Sequence, residues 1–167
     1  MAEFASEETL CFNAVVYFDG VCIAEASNDG WGGQTALRPL NDMGVKLHEA
    51  MDFAKSIPPI EAGFNDPNNP DQKAYLDVTL DFLVEIIAND MHNEKRNRSA
   101  FKRDLTNKVI FILEGKLLYL KGVNIKKIAD KTEYFKALHS KYSKKIIILA
   151  ELPTEEAFAL WKQHAIA

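Results

Sequence analysis

Asp71, which follows Pro70, and the triplet Glu114-Gly115-Lys116 together spell the skeleton of a metal-dependent nuclease site. In that chemistry two acids hold a divalent metal and a lysine assists the attacking water. The local context works against it, because Pro70-Asp71 has the form of a helix start and Glu114-Gly115 that of a hairpin turn. Asp77, Asp81 and Glu85 recur at i, i+4 and i+8, so on a helix they share one face. Such a ridge can coordinate a metal only with ligands from another element, and no Glu-x-x-His pair accompanies it. A solvated face suits the same spacing, as does an acidic surface that, with Asp90, imitates nucleic-acid phosphates. His48, His92, His139 and His164 are scattered and lack cysteine pairs, so no zinc cluster is expected. No Gly-x-Ser-x-Gly elbow occurs, and neither cysteine has a local histidine partner. No catalytic residue, metal or cofactor is therefore assigned, and the balance leans away from an enzyme.

A different kind of chemistry is concentrated at Asn28-Asp29-Gly30-Trp31-Gly32-Gly33, which holds three of the eight glycines and one of the two tryptophans. Glycine tolerates positive φ and leaves backbone N–H groups approachable. The loop can therefore form an anion-cradling nest or a recognition tip bearing Trp31. It is no Walker loop, since the Gly-Lys-Ser/Thr ending is missing. The structural alternative is a wide turn in which Asn28 and Asp29 cap their own backbone while Trp31 packs on the sheet. The partner-binding set expected from the sequence is Asn28, Asp29, Gly30, Trp31, Gly32 and Gly33, with Asp77, Asp81 and Glu85 as an acidic companion surface.

The stretch from Val15 to Gly33, with a strand ending in Phe18-Asp19-Gly20 and a second closing on Asn28-Asp29-Gly30-Trp31-Gly32-Gly33, resembles a family of small uncharacterised proteins of bacteriophages and bacterial mobile elements. No activity carries over from that family. The resemblance implies a setting: a phage accessory protein in the cytoplasm of a bacterial host, binding and blocking a host or defence protein.

The lysines at 121, 126, 127, 131, 136, 141, 144 and 145 offer a third possibility, contact with a nucleic-acid backbone, with Tyr134, Phe135 and Tyr142 available for stacking. A solvated or internally paired face accounts for them as well, and Phe135 fits a core stripe with Ile128 and Leu138.

These residues must be held by elements. The chain has 167 residues, 47% apolar and 26% charged, with a net charge of -4. That composition excludes collagen-like, low-complexity and disordered classes and allows a sizeable core. No apolar run approaches the roughly 18 residues of a bilayer span, and the first ten residues hold three Glu and no base, so neither membrane nor secretory signal is expected. Charge is segregated: through Asp90 sixteen acids face four bases, and from Met91 sixteen bases face eight acids. Acidic-to-basic contact makes homo-oligomers possible.

The periodicities predict an α+β chain of antiparallel hairpins flanked by helices, a single domain over 1–167 with a possible subdivision into 1–60 and 72–167. An Asp19-Gly20 turn joins strands at Thr9 to Phe18 and Val21 to Asn28, and Gln34 to Arg38 adds a third. One face of this meander collects Phe12, Val16, Phe18, Val21 and Ile23; the other carries Val15, Tyr17, Cys22, Ala24 and Ala26. In that register Cys11 lies opposite Asn28 and roughly 20 Å from Cys22, at about 3.3 Å per residue, so both are free thiols. A helix from Asn41 or Asp42 to Lys55 follows, with Val45, His48, Met51 or Phe53 and Ala54 at helical spacing. Glu61 to Asp71 is the longest expected loop and the candidate boundary. Gln72 to Glu94 is the most regular helix, with a stripe of Leu76, Leu80, Leu83, Ile87 and Met91. A hairpin of Lys108 to Leu113 and Lys116 to Lys121 is apolar on both faces, as in strands covered twice. Helical segments within Ile125 to Tyr142, a strand from Lys145 to Leu152 and a helix from Pro153 to His164 complete the chain.

Overall fold

The computed structural model describes residues 2–4 and 9–165 and has the α+β architecture, with helices packed beside antiparallel sheets. Two compact units divide the chain, Met1–His92 and Asn93–Ala167. The division falls at the place where the charge changes sign. The first unit's sequence holds sixteen acids and four bases, a net of -12, and the second eight acids and sixteen bases, a net of +8. It falls within a long helix and not in the 61–71 stretch.

In the first unit β1 (Ala2–Phe4), β2 (Cys11–Phe18), β3 (Val21–Asn28) and β4 (Ala36–Pro39) pair in chain order, all antiparallel. Asp19 and Gly20 take φ of 50° and 75°, the backbone that a two-residue hairpin turn demands. Phe18 pairs with Val21 and Tyr17 with Cys22, as expected, but Val16 then pairs with Ala24. Ile23 is left as the extra residue of a β-bulge, which turns two consecutive side chains inward. Ile23 and Ala24 are both 0% exposed. The slip carries through the ladder, so Phe12, and not Cys11, faces Asn28. It also corrects the two faces: Ala24 and Ala26 join the core with Phe12, while Val15 and Tyr17 stay outside. Cys11 and Cys22 are free thiols.

The helix α1 (Gly44–Ser56) buries Leu47, Ala50 and Ala54, and leaves the expected Val45 and Phe53 exposed. The expected loop from Glu61 is in fact a hairpin of β5 (Ile60–Asp66) and β6 (Asn69–Leu76). Pro70-Asp71 therefore lies in a strand and starts no helix. The next helix, α2, runs Leu80–Asn107 instead of Gln72 to Glu94. Its inward face in this unit is Leu80, Val84 and Ala88, and the expected stripe contributes only Leu80 and, in part, Leu83. The core it joins is rich in alanine, with Ala24, Ala26, Ala50, Ala54 and Ala88. A pattern weighted toward bulky side chains passes over such a face.

In the second unit β7 (Ile110–Leu113) lies between β8 (Lys116–Tyr119) and β9 (Ile146–Ile148). Glu114 and Gly115 make the turn with φ of 51° and 73°. The central strand is covered on both faces. Ile110 and Ile112 pack with Phe101, Leu149, Phe158 and Trp161, and Val109 and Phe111 with Ile125, Phe135, Leu138, Ile146 and Ile148. Its neighbour β8 is an edge strand with Leu118 and Tyr119 exposed. The helix α3 (Lys131–Lys141) starts at Asp130, whose carboxylate accepts from the Glu133 N–H at 2.9 Å. The strand expected over 145–152 shortens to β9 and a 3-10 turn at Leu149–Glu151, before α4 (Thr154–Ala165).

Arg98 fastens α4 to α2. Its two terminal nitrogens donate to the two oxygens of Glu155 at 3.0 Å each, its Nε donates to Glu94 at 3.0 Å, and the guanidinium lies 4.4 Å from the Phe158 ring centre. The Arg98 hydrogen bonds hold the Glu155 carboxyl below the usual carboxylate range, and Lys162 chiefly does the same for Glu94. A carboxyl depressed in the folded state stabilises above its unfolded pKa and loses that contribution as pH falls through the folded value. The wild-type urea midpoint should therefore fall below about pH 4.3, and Arg98→Met, which keeps the stem, should show a flatter slope there. Parallel slopes in urea titrations at pH 3 to 5 would remove Arg98 from this role.

Candidate functional site

The 28–33 loop is tied down by one buried amide. Asn28 ends β3 at 5% exposure. Its Oδ1 accepts from the Gly30 N–H at 2.9 Å and from the Thr9 hydroxyl at 3.2 Å, and its Nδ2 donates to the Gly33 carbonyl at 3.0 Å and to Thr35 Oγ1 at 3.2 Å. Both donors and both acceptor positions of the amide are engaged. Asp29 Oδ1 accepts from the Trp31 N–H at 3.1 Å, Thr9 Oγ1 from the Gly32 N–H at 3.3 Å, and the Gly30 carbonyl from the Thr9 N–H at 3.2 Å. Gly30 and Gly32 have φ of 85° and 80°, a conformation that costs little only for glycine.

This bonding decides between the expectations for the loop. The N–H groups of residues 30, 31 and 32 already donate to side-chain oxygens, so they form no open cradle for an anion. Asn28 and Asp29 do cap their own backbone. Trp31 does not pack on the sheet, however; it is 65% exposed. What results is a pinned tip carrying one large indole. Thr9 and Thr35 are integral to it and were not among the expected site residues. Thr9 lies nineteen positions from Asn28, and only strand pairing brings the two together.

The remaining candidates are dispersed. Asp77 is exposed in the connection ahead of α2, so the ridge at i, i+4, i+8 reduces to Asp81 and Glu85 in the first turns of the helix. There the two acids suit the positive end of the macrodipole. No hydrogen bond or ion pair among the described residues joins Asp77, Asp81 or Glu85 to the loop. Asp71 is exposed on β6 in the first unit, whereas Lys116 lies on β8 in the second. The Glu114 carboxylate is bound by Lys144. His48 Nε2 lies 3.7 Å from an Asp52 carboxylate oxygen, and His139 Nε2 lies 2.7 Å from one of Glu151. Among the described residues no group of three or more His, Cys, Asp or Glu is placed to hold a metal. The lysines at 121, 126, 127, 131, 136, 141, 144 and 145 are all exposed, but Phe135 is buried, Tyr134 is packed beside it and Tyr142 packs on Phe111, so these rings are taken up by the core. No helix is long and apolar enough to cross a membrane among the described residues.

Compared with known family models, curated proteins and solved structures, the chain matches none.

Proposed function

We propose that this chain acts without catalysis, by stoichiometric contact with another protein through the Trp31 loop. Following the resemblance of residues 15–33, the bound protein is a host or defence component of a bacterial cell, and the chain is its phage-derived inhibitor. The observation that carries the reading is the combination at one tip of an exposed indole and a backbone with its hydrogen bonds satisfied internally. A tryptophan held in place before contact loses little conformational freedom on binding, and tryptophan is among the residue types that dominate binding energy at interfaces. The net charge of -12 on the unit that bears the loop favours encounter with a basic surface.

Capture from host lysate on the immobilised full chain should yield one stoichiometric protein. Trp31→Ala should weaken that complex by about 2 kcal/mol or more, roughly thirtyfold in affinity. Because the side chain is exposed, folding stability should change by no more than about 0.5 kcal/mol. Titration of the recovered protein against both variants, alongside their urea unfolding curves, gives the answer. Equal affinity, or a loss explained by unfolding, removes the loop from the function.

A further inference from the structure

The sheet of the second unit sorts that unit's charges into two layers. On the Val109 and Phe111 face, residues 120–145 fold over β7, with Val123, Ile125, Ile128, Phe135, Leu138 and Tyr142 turned into the core. The eight lysines from Lys121 to Lys145 stay exposed outside that apolar set, and the only acids among them are Asp130 and Glu133. The opposite face is covered by residues 93–108 and α4, which hold seven bases and four acids. There Glu94, Asp104 and Glu155 are already paired with Arg98, Lys108 or Lys162. In the 120–145 layer Lys144 is bound by Glu114, and no ion pair among the described residues engages the other seven lysines. Like charges held on one layer repel, and an external polyanion relieves that repulsion.

Which polyanion fits follows from the other side chains of the layer. Between 120 and 145 no large apolar side chain is exposed, so a lipid surface would meet charge without insertion. No ring there is open for stacking: Phe135 is buried, and Tyr134 and Tyr142 pack on Phe135 and Phe111. Tyr119 and Ile147 are exposed, but they pair with Ile110 and Ile112 and so share the opposite face. Single strands are held largely by such stacking, which disfavours them here. The layer also contains no arginine, the commonest reader of guanine edges. Lysine meets phosphate as a compact point charge. We propose that the 120–145 layer binds the phosphate backbone of duplex nucleic acid, without regard to base sequence. A duplex presents one charge per about 1.7 Å of axis, and lysines that neutralise its phosphates release condensed counterions. The site belongs to the second unit and does not depend on the Trp31 loop.

The test is fluorescence anisotropy of labelled oligonucleotides titrated with the full chain. Four to six phosphate contacts, at about 0.9 each, give a slope of log affinity against log salt of about -4 to -5, and a loss of at least roughly 100-fold between about 50 and 200 mM salt. Two DNA duplexes of unrelated sequence and an RNA duplex should bind alike, within about threefold, and a single strand more weakly. A variant combining Lys126→Gln, Lys127→Gln and Lys136→Gln should bind the duplex at least about tenfold more weakly and with a slope shallower by about 2 to 3. Removing the same charge from the other layer, by Arg96→Gln, Lys102→Gln and Arg103→Gln, should cost less than about threefold. All six side chains are exposed, so both variants should fold; Lys131→Gln and Lys141→Gln replace the first set if urea unfolding shows otherwise. No duplex binding at low salt, a preference for single strands, or equal losses in the two variants overturns the proposal. So does binding that anionic phosphatidylserine vesicles displace more effectively than unlabelled duplex, which would assign the layer to a membrane surface.

Discussion

Phe111→Ala should cost about 3–5 kcal/mol, the range for deleting a buried aromatic ring. Phe111 is 2% exposed at the centre of β7, paired with Leu118 on one side and Ile148 on the other. Its ring lies against Ile125, Phe135, Leu138 and Ile146, and its centre is 5.3 Å from that of Tyr142. These neighbours come from two strands and from helical segments either side of Asp130, so no single one can move in to fill the space. Stability of roughly 0.05–0.15 kcal/mol per residue gives a unit the size of Asn93–Ala167 roughly 4–11 kcal/mol in all. The loss is thus a large part of what the unit has. Leu118→Ala is the control, because Leu118 is Phe111's ladder partner on an exposed edge and should cost less than about 1.5 kcal/mol. Urea denaturation should separate the two substitutions clearly, with amide exchange accelerating across 109–113 and 146–148 in the Phe111 variant only. Equal costs would mean that β7 is not covered on both faces.

Why β7 was legible and other elements were not has a physical basis. Ile110 to Leu113 is apolar at every position, which only burial on two faces explains, and Glu114-Gly115 marks its turn as Asp19-Gly20 does that of β2. Such turns depend on local φ preferences and can be read from two residues. The bulge at Ile23 cannot, because it depends on which ladder partners are available, and one extra residue exchanged the expected faces of half a hairpin. The hairpin over 60–76 reads in sequence as a loop from Glu61 to Asp71 followed by a helix from Gln72, because its strands are exposed on both sides and carry no alternation; only Ala62 is buried there. Leu76 then fell by coincidence four residues before Leu80 and extended the helical stripe backward into a strand. The same bias toward large side chains favours Ile87 and Met91 over Val84 and Ala88, whereas the structure buries Val84 and Ala88 and leaves Ile87 and Met91 on the surface. At the candidate site, glycine density and Trp31 were visible at once, but the bonds that pin them run to Thr9 and Thr35, which no local spacing connects.

Those bonds make Asn28 the most sensitive position of the loop. Asn28→Ala removes four hydrogen bonds and strands the Gly30 N–H and the Thr35 hydroxyl where water has little access, at an expected cost of about 2–4 kcal/mol. Asn28→Asp divides the site in two. The retained Oδ1 still accepts from Gly30 and Thr9, while the new oxygen replaces a donor and faces the Gly33 carbonyl. Thr35 can turn its hydroxyl to donate; a carbonyl cannot. Burial and that carbonyl both disfavour the ionised acid, so its folded pKa should be raised above the unfolded value. The penalty is then full above the folded pKa and is relieved as pH falls toward the unfolded one. Asn28→Asp should accordingly gain stability relative to wild type between about pH 7 and pH 4, whereas Asn28→Ala should show a constant deficit. Urea midpoints across that range distinguish the two. Binding adds the functional half of the argument. Well below its unfolding midpoint, Asn28→Ala retains Trp31 and its N–H bond to Asp29 but not the bonds that tie Gly30 and Gly33 on either side of it, so a partner that needs a prearranged indole should bind it at least tenfold more weakly. Wild-type affinity in a destabilised Asn28→Ala would mean that the partner recognises the tryptophan without the loop geometry, and the amide network would then serve stability alone.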